Sequence, residues 1–447
     1  MRHAGARTIA RWRVAFTLGA ALAAAALGRA DVDPALHAQV PSSSKVVAIV
    51  GASVVNLNGG PATANATVVI EGDRITAVGP AASTTVPAGA EVIRAAGKWV
   101  VPGLMNMHTH YGLVLPGRQG AELANETDAA LALRMASNAR ISLLSGVTTT
   151  RSTGESKGAD YALRRAIDRG EAIGPRIYTA GETLNVTGGH GWNPSEEGLD
   201  SPDAFRRAVR RRAFDGAEWI KIAISGGIAD THGDIAASHM TKEEVAAVTD
   251  TAHRHGLKVT AHSGSPGATL EAIEAGLDCV EHGYFLTDEV LRRMVDKGVW
   301  LVPTIVVAQP TVMEFFRKIG SPEWYLARVA SVGESHFKML QNAIKHKVKI
   351  ALGTDQFPFE PNDGTTATIR EAQYYVEAGM TPLQALRSAT VETATMLGIL
   401  DRAGTVEPGK LADVVVTDAD PSRDIRALRA IKLVMKGGVV VRNDLAR

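Results

Sequence analysis

One cysteine, Cys279, is all that this 447-residue chain carries. An intramolecular disulfide is therefore excluded, and the fold must be stable on its packed core alone. Excess charge of one sign is also missing: 48 Lys and Arg against 47 Asp and Glu leave +1. No Lys/Arg-rich run marks a groove for a polyanion, so nucleic acid is not an expected partner. There is no repeat, and the alanine-rich N-terminus is the only compositionally biased tract. That N-terminus places an apolar run, residues 14–27, behind Arg2, Arg7, Arg11 and Arg13, and ends it at Gly28-Arg29-Ala30. The run is short for a membrane span, and small residues occupy the cleavage positions, so residues 1–30 read as a secretory signal. Cleavage as late as Ala38 is an alternative, as is a retained anchor. A lipid anchor needs a cysteine near the cleavage site, and none is there. A periplasmic or secreted protein, with no stable membrane anchor after cleavage, is expected.

At 45% hydrophobic and 21% charged, the rest has the composition of a globular protein, long enough for one large domain and one small. Residues 46–55 and 66–78 read as short strands around a hairpin corner at Glu71-Gly72-Asp73. Beyond Gly97 the pattern changes. Apolar runs at 99–107, 147–151, 176–180, 219–224, 258–261, 278–281, 300–306 and 348–352 alternate with segments of helical period, among them 124–144, 203–212, 242–255 and 268–275. Eight strands alternating with helices predict an α/β fold, a (β/α)8 TIM barrel over residues 101–403. A closing helix over 382–397 precedes two further strand-like runs, 411–417 and 431–441. Both chain ends, 45–100 and 404–447, are thus expected to build one small β-sandwich domain.

The barrel gives the remaining polar residues their meaning, because catalytic groups sit at the C-terminal ends of its strands. His108 and His110 end the first run. Residues two apart on a strand share a face, so both imidazoles converge on one point. Strand four reads Glu-Trp-Ile-Lys-Ile-Ala-Ile. Ile220, Ile222 and Ile224 suit the helix-facing side, which turns Lys221 into the interior. A lone buried ammonium is costly. Either Lys221 pairs with an interior carboxylate, or its amine has added CO2 to become an anionic carbamate able to bridge two metals. Strand five ends in His262, strand six in His282 and strand eight in Asp355. Each alone has an innocent reading as a core or capping residue; together they describe a metal site, expected to be binuclear, with imidazole and carboxylate ligands suited to zinc.

Other candidates are weaker. His190 and His232 lie in loops after strands three and four, where substrate-binding residues collect. Tyr111 and Tyr284 follow ligand strands and suit either a substrate oxyanion or ordinary packing. Arg151 ends strand two, facing a substrate carboxylate or an acid such as Glu281. His253, His255, His336 and His346 read as surface residues. In the last loop Glu360 and Asp363 suit either a cationic substrate or solvent.

Pro102-Gly103-Leu104 leading to His108-Thr109-His110, then Lys221, His262, His282-Gly283, Gly353-Thr354-Asp355 and the run Glu407 to Asp413 together resemble the amidohydrolase superfamily of metal-dependent hydrolases. The resemblance covers essentially everything after residue 45. Ile220-Lys221-Ile222, Ser225-Gly226-Gly227, Ala261-His262 and Glu281-His282-Gly283 are most similar to its imidazolonepropionase-like and Xaa-Pro dipeptidase-like group. There a strand-four lysine implies a carboxylated bridge between two zinc ions. Imidazolonepropionases lack that lysine, which argues against their own activity here. Several relatives carry a second histidine after the strand-five ligand, where this chain has Ser263-Gly264-Ser265.

The expected site thus holds one Zn2+ on His108, His110 and Asp355 and a second on His262 and His282, with N6-carboxylated Lys221 between them. A bridging hydroxide would attack a carbonyl while Asp355 shuttles its proton to the leaving amine. The expected activity is hydrolysis of amide or peptide C–N bonds in a small-molecule substrate, by a dipeptidase, carboxypeptidase or N-acyl amino acid amidase, in a homo-oligomer. A cyclic-amide hydrolase or deaminase is the alternative on the same scaffold. A metal-binding protein without turnover is the alternative of another class; loss of ligands would be its mark, and all six are present.

Overall fold

The structure, a computed structural model, describes residues 45–194 and 197–445. Residues 1–30, read above as a secretory signal, lie outside the described residues. Among the described residues no helix is long and apolar enough to cross a membrane.

Five N-terminal strands come first: β1 (Val46–Val54), β2 (Thr63–Glu71), β3 (Arg74–Pro80), β4 (Glu91–Arg94) and β5 (Trp99–Pro102). The β2–β3 corner turns at Gly72, whose φ of 60° suits a residue without a Cβ. The next eight strands are β6 (Leu104–Thr109), β7 (Val147–Ser152), β8 (Arg176–Thr179), β9 (Trp219–Ala223), β10 (Lys258–Ser263), β11 (Cys279–His282), β12 (Trp300–Val302) and β13 (Lys349–Ile350). A hairpin of β14 (Pro361–Asn362) and β15 (Thr365–Thr366) follows, then β16 (Val414–Thr417), β17 (Ile431–Lys436) and β18 (Val439–Asn443). One sheet joins the chain ends in the order β18-β17-β16-β5-β1-β2-β3, with β4 on β1.

The run 99–107 is not one strand. It breaks at Gly103, where β5 stays with the terminal sheet and β6 crosses to the parallel one; a Cβ at Gly103 would collide with Thr148. Parallel ladders join β6-β7-β8 and β9-β10-β11-β12-β13. The eight strands therefore form two parallel sheets rather than one unbroken ring of ladders. At the gaps, Leu184 N–H donates to the Lys221 carbonyl at 2.9 Å, and Met107 N–H to the Leu352 carbonyl at 2.7 Å. At the second gap β13 is only two residues long, and Gly353-Thr354-Asp355 follows two residues after it.

Helices fill the intervals, including Asp128–Leu144, Pro202–Asp215, Lys242–Arg254, Pro266–Glu274 and Glu323–His346. Their starts follow local chemistry. Thr241 and Glu244 form a reciprocal capping box, and Ser201 and Ser265 each cap a helix with proline at its first turn. The expected closing helix 382–397 is two, Pro382–Ser388 and Val391–Leu397, and the run 300–306 leaves the strand after Val302 for a 3-10 turn at Ile305–Ala308. Ile220, Ile222 and Ile224 pack with Phe205, Val209, Val245 and Val248 of the covering helices. Burial of each isoleucine contributes about 1.5–3 kcal/mol. Trp219 faces the other way, among Met105, Met107, Cys279 and Val302. That alternation fixes the direction of Lys221.

Candidate metal centre

Six side chains from six places in the sequence line one cavity of about 220 Å³: His108, His110, Lys221, His262, His282 and Asp355. Strand β6 supplies His108, and His110 follows directly after its last residue. Asp355 reaches them because its own N–H donates to the His108 carbonyl at 2.9 Å. Gly353 permits that approach: a Cβ there would lie 2.8 Å from the His108 nitrogen and collide with Val302.

Strand alternation alone would send adjacent Glu281 and His282 to opposite faces. His282 instead has φ 66°, and two other site residues share the left-handed region, Thr304 at 50° and Asp355 at 55°. Each costs on the order of 1–3 kcal/mol for a residue with a side chain. The turn brings His282 to the cavity, where its Nδ1 meets Thr304 Oγ1 at 2.7 Å. One Nδ1/Nε2 or carboxylate oxygen from each of His108, His282 and Asp355 lies within 4.8 Å of the other two, an arrangement able to hold a metal ion.

Which nitrogen carries each proton follows from the partners. His108 Nδ1 donates to Glu281 Oε2 at 2.7 Å, His110 Nδ1 to the Gly154 carbonyl at 2.7 Å, and His262 Nε2 to the Gly226 carbonyl at 2.9 Å. A carbonyl or ionised carboxylate only accepts, so each neutral ring keeps a lone pair on its other nitrogen. The His108 and His110 Nε2 atoms stand 3.2 Å apart, and each is 3.0 Å from Asp355 Oδ1. Two lone pairs and a carboxylate oxygen so close repel unless a cation lies among them. The donor set therefore fits a divalent metal, and the outer partners orient the rings as metal-binding histidines require.

The electrostatics of Asp355, His262 and His282 agree. Burial would raise Asp355, but His108, His110 and His282 hold it well below the usual carboxylate range. Burial, with neighbouring histidines and Lys221, holds His262 and His282 well below the usual imidazole value, so both are neutral and able to ligate. Burial also lowers the Lys221 amine, while Glu281 and Asp355 oppose it. Lys221 makes no ion pair or side-chain hydrogen bond among the described residues. The interior carboxylate that would have paired with it, Glu281, is committed to Arg151, Thr260 and His108.

The remaining candidates divide. His190 lines the cavity, stacked on His262 at 4.0 Å and bonded through Nδ1 to Asp230 at 2.7 Å. Tyr284 lines it too, stacked on His282 at 5.2 Å. Three other candidates lie outside the cavity lining, and for Arg151 and Tyr111 the alternatives of an acid partner and of ordinary packing describe what is found. Arg151 is wholly buried, paired with Glu281 and lying 4.5 Å over the Trp219 ring. Tyr111 is buried against Thr150 outside the cavity lining. His232 is exposed, bonded to Thr231. His336 is no surface residue: it is fully buried, and Nε2 contacts the Pro303 carbonyl at 2.7 Å. Asp363 lies 3.7 Å from both Arg370 and Arg429, and Glu360 is buried rather than solvated.

Sequence reasoning missed Asp230 and Thr304 and gave Glu281 only as an option for Arg151. His336 had a signal, since it continues the apolar spacing Val329, Val332, Met339 along its helix.

The amidohydrolase family model matches residues 99–441. Ochratoxinase of Aspergillus niger is 30% identical over 375 residues, 76% of this chain and 75% of its own. Imidazolonepropionase of Sphingopyxis alaskensis is 28% identical over 388 residues, 78% and 85% of the two chains. A solved Xaa-Pro dipeptidase with bound methionine in the active site superposes with a TM-score of 0.81 at 30% identity, across 89% of this chain and 100% of that one. Donor set, strand-end placement and these likenesses agree: this chain belongs to the amidohydrolase family.

Proposed function

We propose that this protein is an exported, metal-dependent amidohydrolase that cleaves amide or peptide C–N bonds on a closed (β/α)8 barrel, as a dipeptidase, carboxypeptidase or N-acyl amino acid amidase. The observation that carries the reading is the meeting of His108 Nε2, His110 Nε2 and Asp355 Oδ1 at 3.0–3.2 Å. Similarity to ochratoxinase and to the Xaa-Pro dipeptidase supports the amide-type bond.

His108, His110 and Asp355 would hold one divalent ion, His262 and His282 a second, with Lys221 as a carbamate between them. A lowered amine pKa and the lack, among the described residues, of an ion-paired carboxylate support that modification. When bound, the ions supply Lewis acidity toward a water and a carbonyl oxygen.

The chain's own groups do the rest. Asp355, ionised before the reaction, takes through Oδ2 the proton of the attacking water and returns it to the leaving nitrogen. His190, fixed by Asp230, and Tyr284 orient the carbonyl. Leu113, Leu115, Val307 and Phe316 line the same cavity and keep bulk water from the reacting bond.

Metal analysis combined with hydrolysis of a panel of dipeptides, acyl amino acids and cyclic imides tests the proposal. Cleavage of open-chain amides should vanish on chelation and return with zinc. Asp355→Asn should retain part of the metal and lose about 10³-fold or more in kcat. Near-normal turnover in that variant, or after chelation, refutes the reading.

A further inference from the structure

The loop after Asp355 carries an unusual concentration of buried polar atoms without partners. Gln356, Glu360 and Asn362 are each about 1% exposed. Both amide atoms of Gln356 and Asn362, and both carboxylate oxygens of Glu360, make no hydrogen bond. Buried polar groups in folded proteins are overwhelmingly paired, and leaving one unpaired costs about 1–3 kcal/mol. Six such atoms within seven residues need a missing partner.

Their place says where it belongs. Gln356 lines the same cavity as the histidines. Glu360 interacts electrostatically with Asp355 and Tyr325, both of which also line it. Burial and the charge of Asp355 push the Glu360 carboxyl well above its ordinary range, as expected of a carboxylate with no cation beside it. Among the described residues no ion pair joins Glu360 to an arginine: Arg370 bonds Glu377 through Nη1, with its Nε left without a hydrogen bond, and Arg429 bonds Gln373.

The chemistry of the unpaired atoms selects the ligand. Glu360 Oε1 and Oε2 only accept when ionised, and demand a positive donor. Gln356 Nε2 and Asn362 Nδ2 demand an acceptor, which an inorganic cation cannot offer. A basic amino-acid residue supplies both, through its ammonium or guanidinium group and its carboxylate. We infer that Glu360, with Gln356 and Asn362, forms a specificity subsite for a lysine- or arginine-like residue joined at the scissile amide. The inference rests on the hydrolase reading above and deepens it.

The test compares alanyl-arginine and alanyl-lysine with alanyl-norleucine as substrates of the zinc-loaded protein. Calorimetric binding of L-arginine against L-norleucine is measured in parallel. The expected result is a preference of about 10-fold or more in kcat/KM for the basic peptides. Glu360→Gln should lower that preference by a similar factor and weaken L-arginine binding. Asp363→Asn, in the same loop but paired with Arg370 and Arg429, should leave the ratio unchanged. Equal or better cleavage of alanyl-norleucine by the unmodified protein overturns the inference alone, as does an unchanged ratio in Glu360→Gln. Selective L-arginine binding that is lost in Glu360→Gln, with no peptide cleaved, keeps the subsite and overturns the hydrolase reading. Neither binding nor cleavage overturns both. Should Glu360→Gln fail to fold, the ratios and binding of the unmodified protein decide.

Discussion

The terminal sheet and the interior of the parallel strands bury their side chains equally well and fill themselves with opposite chemistry. In the sheet, Val47, Ile49, Val68, Ile70, Val414 and Leu433 form an aliphatic core. Among the described residues of 45–100 and 404–445, the buried polar side chains are Thr67, Thr417 and Asp413, the last paired with Arg176 at 2.7 Å. The parallel strands enclose Arg151, Lys221, Glu281, His108, His262 and His282 within the same exposure limits. Both regions are strand-built, so secondary structure is not what separates them. One region gains stability from removing apolar surface from water. The other gives some of that stability up, holding charges and neutral imidazoles where water cannot screen them.

Breaking the Glu281 network should have the largest effect on this contrast. Glu281→Leu leaves the Arg151 guanidinium buried without its carboxylate and His108 without its orienting acceptor. A loss of about 3–5 kcal/mol is expected, together with loss of metal affinity; denaturant unfolding and metal titration measure the two. A stability change below 1 kcal/mol would show that Arg151 finds compensation elsewhere, and would erase the distinction drawn here.

Acid should separate the regions next. Burial lowers His336 from 6.5 to about 4, so the unfolded chain takes up its proton first as pH falls. The stabilisation of the neutral ring is complete above the unfolded value. It is lost progressively as pH drops from 6.5 toward 4, amounting to about 3 kcal/mol. His336→Gln should flatten that part of a stability–pH curve measured on metal-free protein. An unchanged slope would mean that His336 takes its proton without cost. The sheet core, with no histidine, contributes nothing in this window.

Ile49→Val, in the sheet, is the smallest perturbation. It should cost about 1 kcal/mol and leave kcat/KM per folded molecule unaltered. A change in turnover would couple the two regions in a way their chemistry does not suggest.

Much of the architecture was legible because two periodicities are printed in the chain: alternation in strands and apolar spacing in helices. Lys221 is the clearest case, since Ile220, Ile222 and, just past β9, Ile224 share one face and leave Lys221 the other. The ligand strands were legible for the same reason. What was hidden depends on backbone angles and on which pairs meet. No local pattern announces φ 66° at His282, so the reversal that lets Glu281 and His282 serve one site could not be read. Arg151 and Tyr111 sit at or near strand ends like true site residues, and only the three-dimensional arrangement shows Arg151 bonded to Glu281 and the Met107 carbonyl, and Tyr111 to Thr150.

The left-handed corners at His282, Thr304 and Asp355 set a condition on anyone borrowing this centre. A designer who copies the six donors onto ideal strand ends of another scaffold would turn the His282 ring and the Asp355 carboxylate away from the other four. What has to be transplanted is a set of bends, each held by its surroundings against a residue's own preference, and the identities of the donors come second.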